Sequence, residues 1–246
     1  MTSHTQYLGF LDGVSHELRT PLSSILAFAD VSLREGVGMS AQQRAAWTEV
    51  AASASRLSDT LDNVLDVMYL DSGKAALSVE LVDLVDVVCE VDARMRPRAD
   101  ERAIELVSFV APGVPFVEAD PDKLRRALEN LVDNALKFTP RGGLVVVHAF
   151  HRKNDSAVHL RIDDNGIGIA EEDQAAVFER YAQVDDSVAR SFGGCGLGLA
   201  VAREFVAMHG GTVRVDSTLG AGSSFTIALP TSAPSERGSY EHHAGR

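Results

Sequence analysis

Near its start the chain carries a helical register, with Leu11, Leu18, Ile25 and Ser32 at seven-residue intervals and Val14, Leu22 and Ala29 filling the neighbouring stripe. This spacing predicts an amphipathic helix from about Tyr7 to Arg34. Gly36-Val37-Gly38 breaks it, Ser40 offers an N-cap, and Leu57, Leu61, Val64, Leu65 and Met68 trace a second apolar face until Asp71-Ser72-Gly73 ends the run. Two long helices joined by a short glycine loop make an antiparallel hairpin with a stripe too wide for it to bury alone. Pairing with a second copy into a four-helix bundle is the expected remedy.

Beyond Gly73 the pattern changes. Short β-rich runs at Leu77–Leu84, Ile104–Val110, Leu144–Phe150, Val158–Asp163, Thr212–Val215 and Phe225–Leu229 alternate with helical stretches near Asp86–Ala99, Pro121–Phe138, Glu172–Phe178 and Leu197–His209. The expected class is α+β: a helical hairpin over 1–73, an α/β sandwich over 74–230 and a polar, disordered tail over 231–246.

Composition excludes some classes of partner. With 35 acidic and 23 basic side chains the formal charge is -12, so broad attraction to nucleic acid or anionic lipid is not expected. No run approaches the roughly 20 apolar residues that cross a bilayer, and no membrane contact is expected of this segment. Cys89 and Cys195 lie far apart without metal-type spacing, which fits a reducing, cytoplasmic setting. That setting is compatible with the cytoplasmic part of a longer, sensor-bearing protein.

Four segments carry chemistry. In Ser15-His16-Glu17-Leu18-Arg19-Thr20-Pro21-Leu22, His16 falls between apolar Val14 and Leu18 and should face water, with Thr20 one turn later on the same face. A neutral imidazole nitrogen is a competent nucleophile, and the Glu17 carboxylate can orient the ring or take its proton. Pro21 cannot donate to the Glu17 carbonyl, so a bend is expected in this turn. Further on, Asn130, Asn134 and Lys137 are spaced i, i+4, i+7 and form a polar line opposite Leu124, Leu128, Leu131 and Ala135. Amide oxygens suit magnesium and an ammonium suits phosphate.

Asp163-Asp164-Asn165-Gly166-Ile167-Gly168 closes a strand. Asp164 can accept from an exocyclic amine such as that of adenine, and Gly166 and Gly168 would let backbone approach a flat base. Phe192-Gly193-Gly194-Cys195-Gly196-Leu197-Gly198-Leu199-Ala200 opens a helix whose N-terminal amides can face an anion. It is neither a dinucleotide fingerprint nor a P-loop, since no strand leads into it and the Lys and hydroxyl are missing.

In order and spacing these segments resemble the H, N and glycine boxes of the sensor histidine kinases. Val177-Phe178-Glu179-Arg180-Tyr181 resembles the F box, and Gly220-Ala221-Gly222-Ser223-Ser224-Phe225 the last glycine box, expected to shape a hairpin. The resemblance covers about residues 10 to 230. It implies a dimerisation and phosphoacceptor hairpin followed by a GHKL (Bergerat) ATP-binding sandwich. It makes His16 the phosphoacceptor, Glu17 its assistant and Thr20 a residue for dephosphorylation. Magnesium would fall to Asn134 with Asn130 beside it, phosphate contact to Lys137, adenine to Asp164 with Gly166 and Gly168, and the nucleotide lid to Gly194, Gly196, Leu197 and Gly198. ATP and Mg2+ are then the cofactors, and the partners are a second copy and the aspartate of a response-regulator receiver domain. Cys195 stands where Thr or Ser is more usual and is expected as a buried, inert thiol. Ala182-Gln183 replace the usual aromatic and basic pair of the lid. A GHKL ATPase using water as acceptor and a non-catalytic phosphotransfer scaffold remain the alternatives.

Overall fold

The computed structural model describes residues 2–36, 38–72, 75–182 and 195–231, with side chains from residue 17 onward. They fall into two compact units, one from Met1–Ala76 and Glu172–Glu204, the other from Leu77–Glu171 and Phe205–Arg246.

The first unit is built on α1 (Thr2–Glu35) and α2 (Ala41–Asp71). Ser40 caps α2 as expected, in a reciprocal box with Gln43: the Gln43 N–H donates to Ser40 Oγ at 3.2 Å and the Ser40 N–H to Gln43 Oε1 at 2.9 Å. Among the described side chains of the pair, Leu22, Ala29, Ala54 and Val67 are the buried apolar ones, and Arg19 reaches across to Asp62 at 2.8 Å. Leu18, Ile25, Phe28, Val31, Val50 and Leu57 stay exposed on these two helices. Such a stripe is the stability deficit that the sequence implied. Helix α1 runs through Pro21 as one element. Near the foot of α2, Arg180 grips Asp71 through both guanidinium nitrogens at 2.8 and 2.7 Å.

The second unit is a mixed sheet with helices on one face. Its strands are β2 (Glu105–Val110), β4 (Leu144–His151), β5 (Ala157–Asp164), β6 (Thr212–Thr218) and β7 (Gly222–Pro230), in the order β2-β4-β5-β7-β6. Among the described strands of this sheet only β2 and β4 run parallel. Period-two alternation puts Val145, Val147, Ala149, Val158, Leu160, Ile162, Phe225, Ile227 and Leu229 on the buried face. Helices α3 (Leu84–Glu101) and α4 (Pro121–Phe138) pack there. A two-stranded sheet joins β1 (Glu80–Val82) to β3 (Val117–Ala119), and α5 (Gly198–Met208) precedes β6.

Three expectations are corrected. The first strand spans Glu80–Val82 instead of Leu77–Leu84, because Asp83 caps α3 by accepting the Val85 N–H and turns the chain into a helix that begins at Leu84. Strand β3 was too short to stand out by alternation. The helix expected over Glu172–Phe178 is two single 3-10 turns, Glu171–Asp173 and Ala176–Phe178. Only Val177 and Phe178 are buried in it, too few apolar contacts to carry the cost of nucleating an α-helix.

Candidate functional site

On the hairpin, the backbone of His16 belongs to α1, while its side chain lies outside the described residues. Glu17 and Thr20 are exposed in the turn that follows. Pro21 removes the donor that would otherwise occupy the Glu17 carbonyl. An open groove borders this turn, lined by Arg19, Thr20, Ser23, Ser24 and Ala27. Its Arg19 is held by Asp62, and the Ser24 hydroxyl donates back to the Thr20 carbonyl at 3.0 Å.

In the second unit α4 is as two-faced as its spacing predicts. Leu124, Leu128, Leu131 and Ala135 are at most 1% exposed, while Asn130, Asn134 and Lys137 are half-buried. Asp120 caps the start by accepting the Lys123 N–H, and at the other end the Thr139 hydroxyl donates to the Ala135 carbonyl at 2.7 Å. A third side of α4 went unread in the sequence. Arg94 and Arg98 on α3 and Arg102 at its C-cap form an i, i+4 row that meets α4 rung by rung: Arg94 with Glu129 at 3.5 Å, Arg98 with Asp133 at 2.7 Å, and Arg102 with the Lys137 carbonyl at 3.0 Å. Glu129 is buried and also paired with Arg125 at 2.9 Å. The four-residue spacing of the arginines was the available signal; the partners they meet, 35 residues on, were not.

The loop after β5 is stitched to the end of α4, since the Ile167 N–H donates to the Phe138 carbonyl at 3.2 Å. Asp164 Oδ1 accepts the N–H groups of Gly166 at 2.9 Å and Ser223 at 3.3 Å, and no hydrogen bond to Oδ2 is found among the described residues. Burial pushes this carboxyl above its ordinary value, against the two backbone donors that lower it. Asn165 is structural: its Oδ1 accepts the Leu144 N–H at 2.8 Å.

The glycines here serve the protein first. A Cβ on Gly166 would lie 2.6 Å from the Phe138 carbonyl oxygen, and one on Gly168, at φ +69°, would lie 2.0 Å from that of Thr218. The last glycine box does more than turn a hairpin, since it delivers the Ser223 N–H to Asp164 and the Ser217 hydroxyl, 3.0 Å from Ser223 Oγ, to the Ile169 N–H at 2.8 Å. These links span about fifty residues and leave no local pattern.

In the first unit, Gly196 adopts φ +67° with its position closed by the backbone of Tyr181 and Ala182, and its carbonyl accepts the Tyr181 N–H at 2.9 Å. Leu197 is buried and its carbonyl takes the first helical bond of α5, from Val201. Gly198 opens that helix. Gly194 and Gln183 lie outside the described residues. Cys195 is half-buried, where a buried thiol was expected, because it stands in the turn before α5 and not on its packed face.

The residues on α4 fit a magnesium ion shared with phosphates. Two amides and an ammonium are the right donor chemistry. The Asn130 amide nitrogen is buried with no partner among the described residues, a costly state unless an acceptor such as a phosphate oxygen meets it.

Comparison with known proteins agrees with this layout. Residues 7–73 match the His Kinase A (phospho-acceptor) domain family, and residues 119–233 match the family of histidine kinase-, DNA gyrase B- and HSP90-like ATPases. Among curated proteins, the circadian input-output histidine kinase CikA of Synechococcus elongatus is 36% identical over 224 residues, which cover 90% of this chain and 29% of CikA. The chain thus spans less than a third of that relative's length. Among solved structures, full-length ShkA in complex with AMPPNP matches at 33% identity and TM-score 0.68, over 92% of this chain and 46% of ShkA. The mycobacterial sensor histidine kinase MprB matches at 34% identity and TM-score 0.53, over 62% of this chain and 97% of that one. With both domains in this order, and with the solved MprB chain matched along nearly its whole length, the chain belongs to the sensor histidine kinases.

Proposed function

We propose that this chain is the catalytic core of a protein-histidine kinase that phosphorylates His16 from ATP and passes the phosphoryl group to an aspartate of a response-regulator receiver domain. The observation that carries the reading is the pairing, in one chain, of a phospho-acceptor hairpin with an ATPase-family unit that presents Asp164, Asn130, Asn134 and Lys137.

Asp164 Oδ2 accepts the exocyclic amine of adenine while Gly166 and Ser223 hold Oδ1, so one carboxylate oxygen positions and the other recognises. Asn134, with Asn130 beside it, holds magnesium, which neutralises charge on the triphosphate when bound. Lys137 pairs with phosphate, and Gly196, Leu197 and Gly198 present backbone at the start of α5, with Gly194 of the same glycine box assigned by its sequence alone. The unprotonated imidazole nitrogen of His16 attacks the γ-phosphorus in line. An N–P bond forms, the bond to the ADP oxygen breaks, and Glu17 takes the proton from the other ring nitrogen. Thr20, exposed in the next turn beside the groove, serves the reverse task of orienting water toward a receiver's phosphoaspartate. The exposed apolar stripe on α1 and α2 pairs with a second copy as a homodimer. Among the described residues no helix is long and apolar enough to cross a membrane.

An ATPase reading needs a carboxylate near the γ-phosphate to activate water. Asn130 occupies the position where such relatives carry Glu, and the neighbouring Glu129 is engaged with Arg125 and Arg94. Incubation with γ-labelled ATP tests the proposal. Acid-labile, alkali-stable label on the chain, passed on to a receiver domain, is expected. Free phosphate as the only labelled product would mean the ATPase, and absence of nucleotide binding would mean a scaffold.

A further inference from the structure

Three stretches of chain distant in sequence meet at Asp120. This residue follows β3, is 3% exposed and caps α4. Its Oδ1 accepts the Lys123 N–H at 3.1 Å, and its Oδ2 accepts the Ser78 N–H at 2.9 Å and the Lys123 ammonium at 3.1 Å. Ser78 belongs to the segment that leads into β1. The third stretch is His209, which follows α5 directly: the backbone N–H of Asp120 donates to His209 Nε2 at 2.9 Å, and His209 Nδ1 lies 2.7 Å from the Phe205 carbonyl.

The partners dictate the state of the ring. A carbonyl oxygen can only accept, so Nδ1 carries the hydrogen; a backbone N–H can only donate, so Nε2 is bare. Both ring nitrogens are thus in use, Nδ1 toward Phe205 and Nε2 toward Asp120. No other acceptor for the Asp120 N–H is found among the described residues.

Helix α4 makes this anchor consequential. With a rise of about 1.5 Å per residue, Asn130 and Asn134 stand roughly 15 and 21 Å from Asp120. A tilt of about 5° at the cap would move Asn134 by about 2 Å, and errors of about 1 Å in a reacting geometry cost orders of magnitude. The arginine row from α3 braces one side of the helix along its length, whereas its start is fixed by the links at Asp120.

We propose that His209 is a positioning residue: by accepting the Asp120 N–H it sets the start of α4, and so the placement of Asn130 and Asn134, and Ser78 holds the same anchor from the segment leading into β1. The inference rests on the nucleotide reading of α4 given above. It makes ATP affinity depend on two residues that contact no nucleotide.

The test uses the full chain and calorimetric titration with ATP and magnesium chloride, at a temperature where circular dichroism shows each variant folded. His209→Gln places an acceptor oxygen where Nε2 stands and should bind nearly as the wild type does. His209→Phe fills the ring's volume without an acceptor and should lose affinity by about tenfold or more. Ser78→Pro removes one of the two backbone N–H groups that the Asp120 carboxylate accepts and should weaken binding in the same direction; His209→Leu, a smaller replacement that also lacks an acceptor, is read in the same way and keeps the role of His209 testable if the Phe variant does not fold. Wild-type affinity in folded His209→Phe, with only its melting temperature lowered, would make His209 merely structural and overturn the proposal. Unchanged affinity in Ser78→Pro would overturn the part given to Ser78. Failure of the wild type itself to bind ATP would instead remove the nucleotide reading.

Discussion

Replacing Gly168 by alanine probes the loop that carries Asp164, and Gly220 supplies a matched control. Both glycines adopt left-handed backbone, at φ +69° and +81°, where an alanine costs about 1–2 kcal/mol. Reduced freedom of the unfolded chain returns about 0.4–1 kcal/mol of this. At Gly220 no atom lies within 4 Å of an added Cβ, so the net loss should be about 1 kcal/mol. At Gly168 the Cβ would meet the Thr218 carbonyl oxygen at 2.0 Å and its carbon at 2.7 Å. These are backbone atoms at the end of β6 and cannot rotate away, so the loop itself must move and the loss should reach about 3–4 kcal/mol. Scanning calorimetry of the two variants checks this. At about 2–4 °C per kcal/mol for a domain of this size, the Gly220→Ala transition should fall by a few degrees and that of Gly168→Ala by about 6–16 °C. Only the Gly168 change should also weaken ATP binding, because it displaces the segment from Asp164 to Ile169. Equal melting temperatures would refute the close approach of this loop to β6.

Two pH dependences follow from carboxylates shifted in opposite directions. Asp120 is buried, which alone would raise it, but the N–H groups of Ser78 and Lys123 and the Lys123 ammonium hold it below the usual range. Its stabilisation is therefore full above the unfolded value of about 3.9 and is lost as pH falls through the lower folded value. The difference in melting temperature between wild type and Asp120→Asn should be constant from pH 5 to 7, as rough bounds, and shrink below about pH 4; a gap that persists there contradicts the assignment. Asp164, raised by burial, favours its protonated form in the fold, so ionising it costs stability above the folded value and that cost fades as pH falls. Adenine's amine prefers the ionised acceptor, so ATP affinity should drop on acidification at a pH above the ordinary carboxylate range of about 4. Binding by Asp164→Asn should be weaker and flat over that range; a parallel pH profile would exclude Asp164 as the titrating group.

The parts of this molecule that were legible in the sequence are those with a local physical signature. The Ser40 cap, the two-faced α4 and the turn at Asp164 each follow from spacing within a few residues, because helix period and capping are local. What stayed hidden depends on distant pairs. Ser223 reaches Asp164 across 59 positions and His209 reaches Asp120 across 89, and neither leaves a periodic trace. The glycines of the Asp164 loop could be found from the sequence, but their reason could not: they admit the Phe138 and Thr218 carbonyls of this same protein. The run from Glu172 to Phe178 resembles a helix by residue type, yet its two buried side chains support only single turns.

The central claim is that His16 accepts phosphate from ATP bound by this same chain's ATPase-family unit. Labelling wild type and His16→Gln side by side with γ-labelled ATP, with nucleotide binding measured on both, tests it most directly. The account predicts acid-labile, alkali-stable label on the wild type, none on His16→Gln, and equal ATP affinity in the two. Label of the same stability on His16→Gln would contradict it.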